Sequence, residues 1–148
     1  MEYDFIKVLD FGLVKGGGIN AQDTLLTLAG TATGTPAFMA PELALGKENV
    51  DARADIYSLG CVAYWLLTGQ LPFENSNPVA MVVDHVNKAP TPPSQRTETE
   101  VPEALERVIL SCLEKEPDAR PSSALDLYSQ LEACTLDSTW NQQQAKDW

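Results

Sequence analysis

This sequence predicts a mainly α-helical fold with a short β element at its N-terminus. Three observations carry the expectation: an apolar run over Arg53–Thr68 with stop signals behind it, further segments of helical periodicity opened by capping residues, and a single β-rich stretch at Phe5–Leu9. The strand candidate ends at the turn-prone Asp10-Phe11-Gly12. From Lys15 to Gly34 the chain is rich in Gly and Thr and has no period that would bury a face, which predicts a loop longer than connections usually are.

The helix over Arg53–Thr68 has Asp51 as its expected N-cap, Gly69 just past its end and Pro72 shortly after. Its apolar residues cover nearly the whole circumference, which places it at the centre of a helical domain. Asn77-Pro78 opens another helix, with Val79, Val82, Val83 and Val86 expected on its buried face, and the proline-rich stretch from Ala89 to Pro93 ends it. Pro102 opens a third, with Leu105, Val108, Ile109, Cys112 and Leu113 on one face and Glu116-Pro117 as the stop. Ser123 and Asp126 form a capping-box pattern before a last helix, expected to bury Ala124, Leu127, Tyr128 and Leu131. The tail from Asp137 to Trp148 is polar apart from Trp140 and Trp148.

Composition narrows the function classes. With 148 residues, 44% of them hydrophobic, the chain can build one core. A net charge of −11 argues against nucleic acid and anionic membrane as partners. The longest apolar stretch, Leu59–Leu67, falls well short of the ~18 residues that span a bilayer, so no membrane contact is expected of this chain. Cys61, Cys112 and Cys134 are odd in number and far apart, a pattern of packed free thiols in a reducing, cytoplasmic setting. His85 is the sole histidine, so neither a His-rich metal site nor a Ser-His-Asp triad has the partners it needs.

Four motifs follow one another in order: Asp10-Phe11-Gly12, Gly34-Thr35-Pro36-Ala37-Phe38-Met39-Ala40-Pro41-Glu42, Asp55-Ile56-Tyr57-Ser58-Leu59-Gly60, and Asp118-Ala119-Arg120-Pro121. Together they resemble the second half of the protein-kinase signature set, from D-F-G through A-P-E to the C-terminal helices. The likeness runs from Phe5 to Ala133, and the wording of Gly34–Glu42 is similar to that of bacterial serine/threonine kinases.

The resemblance implies a partial kinase C-lobe over residues 1–136, with an activation segment at about 10–42 and a polar tail over 137–148. It implies that Asp10 holds the Mg²⁺ bridging the ATP phosphates, that Phe11 packs beneath it, and that Gly12 permits the backbone torsion the motif needs. Thr31 and Thr33 become candidate regulatory phosphorylation sites. Thr35, Pro36, Ala37 and Phe38 become the platform for protein substrates carrying Ser or Thr. Glu42 and Arg120 become a buried structural ion pair, and Asp55 a helix residue that supports the catalytic-loop backbone.

The sequence contains no glycine-rich phosphate loop, no strand lysine paired with a helix glutamate, and no H-R-D-x-x-x-x-N loop. No catalytic residue is therefore assigned within it, the ATP-binding N-terminal lobe is expected to be missing, and the isolated chain is expected to be inactive. The all-round apolar helix is then expected to show an apolar patch and to fold marginally. The alternative expectation is a non-catalytic, kinase-like interaction module that uses the groove near Thr35 and the Val79–Val86 helix.

Overall fold

The computed structural model describes residues 36–134, and all regular structure among them is helical. The strand candidate at Phe5–Leu9, the motif Asp10-Phe11-Gly12, the threonines 31, 33 and 35 and the tail from Asp137 lie outside the described residues. Five α-helices follow a 3-10 turn at Pro36–Phe38: α1 (Pro41–Ala44), α2 (Arg53–Thr68), α3 (Pro78–Asn87), α4 (Glu103–Cys112) and α5 (Ala124–Glu132). Short 3-10 turns at Pro93–Gln95 and Pro117–Ala119 flank α4.

Local chemistry accounts for the helix ends. The N-cap position of α2 is taken by Ala52 rather than by the expected Asp51, which sits one residue earlier and accepts the Arg53 N–H at 2.9 Å, satisfying one orphan donor of the first turn. At the other end Gly69 takes a left-handed φ of 69°, and its N–H donates to the Trp65 carbonyl at 2.7 Å. Asn77 Oδ1 accepts from the N–H groups of Val79 and Ala80, with Pro78 in the first turn of α3. Ser123 caps α5 by accepting the Asp126 N–H at 3.1 Å. The reciprocal half of that capping box differs from expectation, because the Asp126 carboxylate reaches back to the N–H and hydroxyl of Ser122 rather than to Ser123.

The core is built on α2. Ala54, Tyr57, Cys61 and Tyr64 pack with Ala40 on one side and with Ile109 and Leu113 of the α4 region on the other. A satellite cluster joins Ile56, Cys112 and Leu127 across α2, α4 and α5, with Val108 at its edge. The large aliphatic members, Ile56, Ile109, Leu113 and Leu127, contribute roughly 1.5–3 kcal/mol each. Cys61 and Cys112 are free thiols inside these clusters, and burial pushes them up to about 12 and about 11, so both stay protonated and pack as small hydrophobes.

The apolar patch expected on the central helix is present: along the outer side of α2 Leu59 is 52% exposed, Trp65 48% and Leu66 71%. Two expectations about buried faces are corrected. In α3 the buried residues are Val82, Asp84 and His85, while Val79 and Val83 are exposed, because the helix rests on α1 and the Pro36–Phe38 turn along a line one step around from the all-valine stripe. In α5 only Leu127 is buried, and Ala124, Tyr128 and Leu131 face outward, because among the described elements this last helix packs mainly on α4.

Gly60 marks the closest approach of α2 and α4. A Cβ placed there would lie 2.6 Å from the Cβ of Cys112 and 3.3 Å from Leu113 Cδ2, so the helices are as near as they are because position 60 has no side chain. Gly60→Ala should destabilise the domain by about 1–3 kcal/mol, although alanine is the better helix former by about 1 kcal/mol. Urea titration checks this, and a stability equal to or above that of the parent chain would contradict the close packing.

Candidate functional site

The segment that begins the described structure is held by polar contacts to its backbone and by a buried charge. Pro36–Phe38 forms one 3-10 turn closed by the Met39 N–H on the Pro36 carbonyl at 3.3 Å. Ala37 and Ala40 are buried, so lifting the turn from the helices beneath it would expose apolar surface. Ser58, midway along the first half of α2, places its hydroxyl 2.8 Å from the Phe38 carbonyl and 3.2 Å from that of Ala54. The turn is thereby tied to the central helix at its last residue.

Pro41 and Glu42 follow as the first residues of α1, and Glu42 is 3% exposed. Its two carboxylate oxygens accept from Arg120 Nη1 and Nη2, each at 2.7 Å, in a bidentate pair between residues 78 positions apart. Arg120 has five N–H donors, and every one has an acceptor. Besides the two carboxylate bonds, Nε donates to the Glu114 carbonyl at 2.8 Å, Nη1 to Arg53 at 2.9 Å and Nη2 to Lys115 at 3.0 Å. Burial works to raise the Glu42 pKa, but the hydrogen bonds and charge of Arg120 outweigh it and hold the carboxyl below its ordinary value.

The guanidinium also lies over an aromatic face, its central carbon 5.0 Å from the Tyr57 ring centre. Tyr57 continues the network: its hydroxyl is 2.9 Å from His85 Nδ1 and 3.5 Å from Lys115 Nζ. Phe73 packs edge-on against His85 at 4.8 Å between centroids. His85 Nε2 is buried and makes no hydrogen bond of ordinary geometry among the described residues, although the Ala37 backbone lies close enough to favour protonation. Burial outweighs that influence and pushes the imidazole down to about 4, so it is neutral at pH 7.

Among the residues singled out from the sequence, the structure brings together Pro36, Ala37 and Phe38 with the Glu42–Arg120 pair, through α1 and α2. Asp55 stands apart, exposed in the first turn of α2. Its neighbour Arg53 pairs instead with Asp51 and Asp118 at 2.8 and 2.7 Å. Asp10, Phe11, Gly12, Thr31, Thr33 and Thr35 lie outside the described residues. Among the described residues no group of three or more His, Cys, Asp or Glu side chains is arranged to hold a metal, and no helix is long and apolar enough to cross a membrane. The Tyr57–His85–Phe73 cluster was not foreseen. Its signal was the helical step from Val82 to His85, which continues a buried stripe through a polar residue.

Comparison with known proteins shows which family the chain is similar to. The sequence profile described as "Protein kinase domain" matches residues 1–131. The serine/threonine-protein kinase pkn3 of Myxococcus xanthus is 41% identical over 133 residues, 89% of this chain and 24% of that protein. PknB of Mycolicibacterium smegmatis is 42% identical over 126 residues, 85% of this chain and 20% of the relative, and Pkn1 of Myxococcus xanthus is 47% identical over 119 residues, 80% and 16% respectively. The chain thus spans a quarter or less of the length of these relatives. With a profile match over most of its length and similarity to several bacterial serine/threonine kinases, the chain belongs to the protein kinase domain family.

Proposed function

We propose that this chain is the portion of an ATP-dependent protein serine/threonine kinase that carries the magnesium-binding D-F-G, the activation segment and the substrate platform. The observation that carries the reading is the saturated anchor at Arg120, which fixes the end of the Gly34–Glu42 segment to the helical core. A platform must hold a peptide hydroxyl in line with a phosphoryl donor, and phosphoryl transfer depends mainly on positioning and electrostatics. A segment tied by Ser58 at Phe38 and by Arg120 at Glu42 meets that need for Pro36, Ala37 and Phe38. In this reading Asp10 holds Mg²⁺ with Phe11 and Gly12 beside it, Thr35 lines the platform, and Thr31 and Thr33 take regulatory phosphates. Bound Mg·ATP supplies the γ-phosphoryl group and neutralises its charge.

The same proposal assigns residues 1–136 to the kinase domain and 137–148 to a polar tail, places the protein in the cytoplasm, and assigns Asp55 to support of a catalytic loop. It assigns no phosphoryl transfer to the isolated chain, because the catalytic base, the second metal ligand and the nucleotide-anchoring lysine have no counterpart in the sequence.

A graft tests it. Residues 10–133 replace the matching segment of an intact bacterial relative, and transfer from radiolabelled ATP to a Ser/Thr protein is measured with the graft and with the chain alone. Activity in the graft, lost by at least about 10²-fold on Asp10→Asn, is expected, with none from the chain alone. A folded graft indifferent to Asp10→Asn would overturn the reading. Exposed Val79 and Val83 on α3, a helix in contact with α1 and its exposed Leu43, favour a second reading, a non-catalytic kinase-like interaction module. A folded but inactive graft that still captures a protein partner would select it.

A further inference from the structure

One cation beside the anchor has no ion-pair partner among the described residues. The Lys115 carbonyl accepts from Arg120, but its side chain runs to the aromatic cluster, with Nζ 4.4 Å from the Phe73 ring centre and 3.5 Å from the Tyr57 hydroxyl. Among the described residues no carboxylate lies within ion-pair distance of Nζ. Lys115 also lines a cavity of about 380 Å³, whose other walls include Ala89, Pro90, Leu110, Leu113 and Glu114. The setting combines an amine, a half-open, mostly apolar hollow lined in part by the same residue, and a phenol within reach of the amine.

The charges around the amine are mixed. Burial disfavours the ammonium and Arg120 adds to that, while the Glu114 carboxylate opposes it; the net result pushes Lys115 down to about 8. The faces of Phe73 and Tyr57 favour the cation and explain why the side chain lies there. His85, across the Tyr57 hydroxyl, is neutral at this pH and adds no charge. An exposed lysine carries only about one neutral amine per thousand at pH 7.5, and Lys115 carries far more.

We propose that Lys115 is a reactive amine, acylated in preference to exposed lysines by small activated acyl donors, acyl phosphates or acyl thioesters, that enter the cavity beside it. The neutral Nζ attacks the acyl carbonyl carbon and a C–N bond forms. The C–O or C–S bond to the leaving group breaks, phosphate or thiolate departs with the electron pair, and the Nζ proton passes to water. Ala89, Pro90, Leu110 and Leu113 offer the acyl group an apolar wall. The amide product is uncharged, so acylation removes the cation from the Phe73 and Tyr57 faces.

The test treats the full chain with acetyl phosphate or with the acetyl thioester of N-acetylcysteamine and follows each lysine by peptide mass spectrometry from pH 6 to pH 11. Lys88, exposed and paired with Asp84 at 2.8 Å, is the internal reference. At pH 7.5 Lys115 should react at least about tenfold faster than Lys88, its rate levelling off near pH 8, and the preference should vanish in urea. Selectivity with either donor supports the proposal and identifies the source. Equal rates at Lys115 and Lys88 with both donors, a rate still climbing above pH 10, or a preference that survives in urea would each overturn it.

Discussion

Arg120→Ala is expected to cost about 3–5 kcal/mol, enough to unfold most of a small domain, because it leaves the Glu42 carboxylate buried without its counter-charge. Three backbone carbonyls, those of Arg53, Glu114 and Lys115, lose a donor in the same step. Arg120→Lys should recover little, since an ammonium has three donors and no planar fork to meet a bidentate carboxylate. Replacing both partners, as in Glu42→Leu with Arg120→Met, should be milder than Arg120→Ala alone, because no unpaired charge is then buried. Chemical denaturation of the four proteins checks the order. An Arg120→Ala chain as stable as the parent would remove the anchor from the account. Acid supplies a second view of the same pair. With its folded pKa depressed, Glu42 stabilises the fold above its unfolded value near 4.5, and that contribution is lost as pH falls through the folded value.

Stability should also fall between pH 6.5 and pH 4, from a different group. His85 has its pKa lowered to about 4 by burial, so in this window the unfolded chain binds a proton that the folded chain refuses. The sign is therefore loss on acidification: the contribution is complete above 6.5 and gone near 4, amounting to roughly 3 kcal/mol over the window. Lys115 adds to the refusal, Asp84 and the Ala37 backbone work against it, and the Tyr57 hydroxyl lies 2.9 Å from Nδ1, in hydrogen-bond contact with it. Urea midpoints at pH 7 and pH 5 should differ clearly in the parent and much less in His85→Gln. A flat profile in the parent would show the imidazole to be reachable by solvent.

Helix existence and helix ends were legible in the sequence, because they depend on residues within a turn of each other. Asn77, Ser123 and Gly69 act through their own backbone neighbours, and each sits where its chemistry predicts. Burial was less legible. The valines of α3 could face inward along more than one line, and the line used depends on α1 and the Pro36–Phe38 turn, which are far away in sequence. The outward turn of Tyr128 and Leu131 has the same cause, since a pattern of apolar residues does not state how many neighbours a helix will have. Glu42 and Arg120 were paired through the likeness of their motifs to a known family, and no local rule links residues so far apart. The Tyr57–His85 contact was hidden because a lone histidine on a valine-rich helix suggests nothing until its partner is placed.

The uncovered row on α2, Leu59, Val62 and Leu66, makes the thermodynamics of this domain open-ended. Any body that settles there binds the folded helix and not the unfolded chain, so by mass action it raises the melting temperature in proportion to the logarithm of its concentration. A melting temperature measured on the chain by itself is thus a floor, and it rises with whatever the row meets.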